Sequence, residues 1–138
     1  MRLSSVLLVA SAALLVASVA FAQKPATGTA DITSLSASGV SGSADIKFDQ
    51  QNGLARVHEQ ISGLTPGVQY ISQVFVGSTT CGSGTSAVLM TFTANAAGKA
   101  NFNVIAPPQV SPAEGSASIS VQLASDNSLL ACGEIVVQ

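Results

Sequence analysis

Alternation of apolar and polar residues with a period of two constrains this chain more than any other feature in it. Ala44, Ile46 and Phe48 alternate with Asp45, Lys47 and Asp49, and Gln50-Gln51-Asn52-Gly53 follows with turn chemistry, since Asn and Gly tolerate a positive φ. Past that turn, Val57 and Ile61 alternate with Arg56, His58 and Gln60. Successive side chains of a strand point to opposite faces, so the two stretches predict a hairpin with His58 on its solvent face. Glu59 breaks the pattern by falling on the apolar side.

The same period recurs downstream. Val88 to Thr93 and Ala100 to Ile105 flank Asn95-Ala96-Ala97-Gly98-Lys99, which predicts a second hairpin around a Gly-containing turn. Ala117, Ile119, Val121 and Leu123 alternate with Ser118, Ser120 and Gln122, and Ile135 to Val137 close the chain. Between these, Ala106 to Gly115 carries Pro107, Pro108 and Pro112, which exclude regular helix and predict an extended crossover. Short strands at this spacing predict an all-β fold, a Greek-key β-sandwich or flattened β-barrel of about seven to eight antiparallel strands.

The first 22 residues are of another kind: one cation, Arg2, an apolar run of about 17 residues from Val6, then Ala20-Phe21-Ala22. A single-pass anchor needs roughly 20 apolar residues and would not be followed at once by an A-x-A cleavage site, so a secretory signal peptide is expected over 1–22. Residues 23–138 then form a single domain of 116 residues, with no apolar run able to span a membrane. Its four cations stand against seven acids, a balance of −3 with His58 neutral. Without a basic patch, nucleic acid is not an expected partner.

An exported chain with two cysteines favours a disulfide, and Cys81 with Cys132 is the one intramolecular pairing, across 51 residues. Two buried thiols or an intermolecular link are the alternatives. Zinc held by two thiols and one distant histidine has little support.

Gly63-Leu64-Thr65-Pro66-Gly67 ahead of a strand, Ala94-Asn95-Ala96-Ala97-Gly98-Lys99-Ala100, Ser120-Val121-Gln122 and Leu130-Ala131-Cys132-Gly133 together resemble the copper/zinc superoxide dismutase family. The resemblance implies a Greek-key scaffold and places Cys81 in the loop that holds the partner of the late cysteine. It also implies that the chemistry is gone. Gln69, Ser72, Val74 and Gln122 stand where the family has copper-ligating histidines, and Leu129 stands where it has the arginine that attracts superoxide. Copper needs several imidazoles converging on one point, and these side chains offer no comparable set. Gly67 and Cys132, 65 residues apart, leave no room for the family's long metal-binding and electrostatic loops.

Two other resemblances compete. Leu64-Thr65-Pro66-Gly67-Val68-Gln69-Tyr70 is similar to the tyrosine corner of fibronectin type III domains, and Ala26 to Ala30 with Gly133-Glu134-Ile135 is similar to the chordin-type extracellular domain. His58 has no partners in sequence for acid–base or metal work, and the serines and threonines around Cys81 have no base nearby. The expected function is therefore that of an exported, non-catalytic structural, interaction or adhesion domain, with no cofactor and an unidentified protein or surface ligand as partner. A homodimer remains open, and the rival reading is a residual copper-binding or superoxide-removing metalloprotein using His58 with Glu59.

Overall fold

The computed structural model describes residues 26–49, 52–107 and 116–138. The expected signal peptide, Gln50 and Gln51 of the first turn, and most of the proline-bearing crossover lie outside them. Nine strands and no helix make up the described residues: β1 (Thr27–Ser34), β2 (Ser41–Asp49), β3 (Leu54–Ser62), β4 (Gln69–Val76), β5 (Thr85–Thr93), β6 (Ala100–Ile105), β7 (Ala117–Leu123), β8 (Leu129–Glu134) and β9 (Val136–Val137). All pairings are antiparallel, in the order β5-β4-β7-β8-β1-β2-β3-β6, with β9 on β1. β1 joins two sheets, pairing β2 along most of its length and β8 through Thr33 and Ser34. The result is a flattened, nearly closed Greek-key barrel whose crossovers set β6 beside β3 and β7 beside β4.

The first hairpin forms as its alternation requires. Asp49 faces Leu54, Ala44 and Ile46 are buried, and the opposite face carries Asp45, Lys47, Arg56 and His58. The core between the sheets is built from the inward residues of every long strand, among them Ile32, Ile46, Val57, Tyr70, Val74, Leu89, Phe92, Ile119 and Val121. Tyr70 and Phe92 stack at 5.8 Å, and Phe92 meets Phe102 at 5.0 Å.

The second expected hairpin is corrected. Asn95 to Lys99 is a tight turn, with Asn95 Oδ1 accepting the N–H groups of Ala97 and Lys99 at 3.0 Å each, yet β5 pairs with β4 and β6 with β3. The loop between β3 and β4 takes the hydrogen bonds beside the turn: Leu64 N–H donates to Gly98 O, and Ala94 N–H donates to Val68 O. The turn thus carries the chain from one sheet to the other, leaving β5 and β6 as the two ends of the strand order.

Leu64 to Tyr70 does close a tyrosine corner, with Thr65 N–H donating to the Tyr70 hydroxyl at 2.9 Å. The glycines of the two signature phrases have steric reasons. Gly63 holds φ +74° with its α-carbon against the Gly39 carbonyl, and a Cβ at Gly133 would collide with the Asp31 carbonyl where β8 meets β1.

Candidate functional site

Cross-strand register assembles a polar surface on the outer face of β1, β2, β3 and β6. One row runs Thr27, Lys47, Arg56 and Ile105, and the next runs Thr29, Asp45, His58 and Asn103. These rows, apart from Ile105, line an open groove of about 580 Å³. A second groove of about 370 Å³, lined by Ser43, Gln60, Lys99 and Asn101 among others, lies farther along the same face.

His58 is fixed between two neutral amides. Its Nδ1 lies 2.9 Å from Asn103 Oδ1 and its Nε2 lies 3.1 Å from Gln60 Nε2. An amide oxygen accepts and an amide NH₂ donates, so the pair matches the neutral tautomer with hydrogen on Nδ1. Asp45, Lys47 and Arg56 make no ion pair or side-chain hydrogen bond among the described residues.

Glu59 points the other way. It is fully buried between the sheets, where Oε1 accepts a hydrogen bond from Ser72 Oγ at 2.7 Å and Oε2 has no partner among the described residues. Burial pushes its carboxyl up to about 7, against a smaller lowering by the Ser72 hydroxyl. His58 and Glu59, coupled in the metalloprotein reading, therefore face opposite sides of β3.

The expected remnants of a metal site are divided in the same way. Ser72 and Val74 face the core, whereas Gln122 pairs with Ile71 on the outer face of β4 and β7. There Gln122 Nε2 donates to Gln73 Oε1 at 2.8 Å and to Ser120 Oγ at 3.0 Å. Gln69 is exposed at the start of β4, and half-buried Leu129 pairs with Gln122. Among the described residues no three His, Cys, Asp or Glu side chains gather into a metal-holding group.

Cys81 and Cys132 are bonded, with Cα atoms 5.9 Å apart. The bond draws the 77–84 loop over the outer face of β7 and β8, where Gly82 lies against Leu129. Ser118, Ser120 and Gln122, polar positions of an alternating strand, are buried as well, so β7 is covered on both faces.

No protein-family model matches the chain, and no curated protein matches it either. The groove residues Lys47, Arg56 and Asn103 were not singled out by sequence. A hairpin register of Asp49 opposite Leu54 would have placed Lys47 opposite Arg56. Asn103 had no such signal, because β3 and β6 are far apart in sequence.

Proposed function

We propose that the chain is an exported, non-catalytic interaction or adhesion domain on a Greek-key β-scaffold, binding through the outer face of β1, β2, β3 and β6. The observation that carries the non-catalytic part of this reading is the division of Ser72 and Val74 from Gln122 by the sheet itself, and the same division favours the fibronectin-like or chordin-like resemblance over the dismutase-like one. Side chains on opposite faces cannot converge on one ion, and each polar member is already engaged, Ser72 with Glu59 and Gln122 with Gln73. The Cys81–Cys132 bond agrees with export to an oxidising compartment. Among the described residues no helix is long and apolar enough to cross a membrane.

A scaffold that keeps its strands rigid while presenting polar side chains on one open face suits recognition better than turnover. The test is to load the purified protein with copper and zinc, then measure bound metal and superoxide removal. Less than one copper per chain, with removal no faster than free metal gives, is the expected result. Stoichiometric copper with fast turnover would overturn the reading.

A further inference from the structure

Two of the four cations that follow the expected cleavage site stand directly opposite each other, Lys47 on β2 and Arg56 on β3. Like charges at directly facing positions disfavour strand pairing. Both side chains are exposed, and neither has an ion-pair partner among the described residues. With Asp45 as the one acid in the lining, Lys47 and Arg56 leave the groove of an acidic chain with a positive balance, which favours an anion there.

The neighbouring row narrows the class of anion. Two residues along each strand, Asp45, His58 and Asn103 present a carboxylate, an oriented imidazole and an amide. Residues two apart on a strand are separated by roughly 7 Å, so one extended ligand can meet both rows at once. Such a row suits hydroxyl groups, which donate and accept at once. The lining includes no Phe, Tyr or Trp, so a neutral sugar would lack the usual stacking platform.

We propose that this groove binds an anionic sugar chain, with Lys47 and Arg56 taking its carboxylate or sulfate and the Asp45–His58–Asn103 row taking its hydroxyls. The proposal rests on the interaction-domain reading and names its ligand class. Exposure makes the cation pair sensitive to screening, so binding weakens as salt rises.

Calorimetric titration of the disulfide-bonded domain with four probes tests it: oligogalacturonate, a chondroitin sulfate oligosaccharide, a dextran oligomer and oligoglutamate. At least one acidic oligosaccharide is expected to bind, with dextran and oligoglutamate at least tenfold weaker. A preference for oligogalacturonate or for the sulfated probe identifies which anion the cation pair takes. Lys47→Gln with Arg56→Gln should cost tenfold or more without lowering the melting temperature, Asn103→Ala should cost severalfold, and Lys99→Gln should change nothing. Four results overturn the proposal: no binding of either acidic oligosaccharide, dextran or oligoglutamate binding as tightly, or full affinity in the double variant. None of them touches the metal and superoxide measurements, which judge the interaction-domain reading separately.

Discussion

Glu59 places an ionisable group where an apolar one belongs, and its effect on stability has a definite sign. Its folded value of about 7 lies above the ordinary 4.5, so between those values the folded state binds more protons than the unfolded one. The folded state therefore loses relative stability as pH rises through that window, by roughly 3 kcal/mol in all. Urea melts at pH 5 and pH 8 should show the wild type weaker at pH 8 and Glu59→Gln nearly level between them; parallel losses in both would refute the assignment. Tyr70→Phe removes the acceptor of the Thr65 N–H and should cost about 1 kcal/mol in the same assay. At this scale the sequence was partly legible. Glu59 fell out of period visibly, but whether it found a partner depended on Ser72, brought near by a different sheet.

Among elements, the 77–84 loop shows how a covalent constraint changes what a strand's polar positions mean. The alternation of β7 would leave Ser118, Ser120 and Gln122 in water, yet all three are buried on the face of β7 and β8 to which the disulfide pins the loop. Replacing Cys81 and Cys132 together by Ser should cost on the order of 4 kcal/mol by the loop-entropy account of a 51-residue separation. Hydrogen exchange should also rise across 77–84 in that variant, while the β2–β3 hairpin keeps its protection. Equal loosening of both regions would show that the bond acts on the whole domain rather than on the loop. The turn at Asn95–Lys99 carries the opposite lesson. Its local chemistry was legible, yet the direction of its arms was not, because the 63–68 loop competes for the same hydrogen bonds.

For the whole molecule, the strand order ends on β5 and β6. β5 runs from Thr85 to Thr93 without a charge or a proline, and Val88 on it is half exposed, at 49 %. Charged residues and prolines are the usual protection of an edge strand, so β5 is expected to pair with other chains at high concentration. Light scattering over a concentration series should show association that Val88→Lys suppresses; identical curves would place the contact elsewhere. By itself, the sequence determined the all-β class, the β2–β3 hairpin, the inward Glu59 and the one intramolecular cysteine pairing. These follow from period two, turn chemistry and cysteine number, all of which act locally or by count. Only the tertiary structure decided that β5 and β6 part, that β7 is covered on both sides, that Ser72 and Gln122 face opposite ways, and that Asn103 completes the row of Asp45 and His58. Each of those depends on which distant strand lies alongside, and that choice is made by burial summed over both sheets at once.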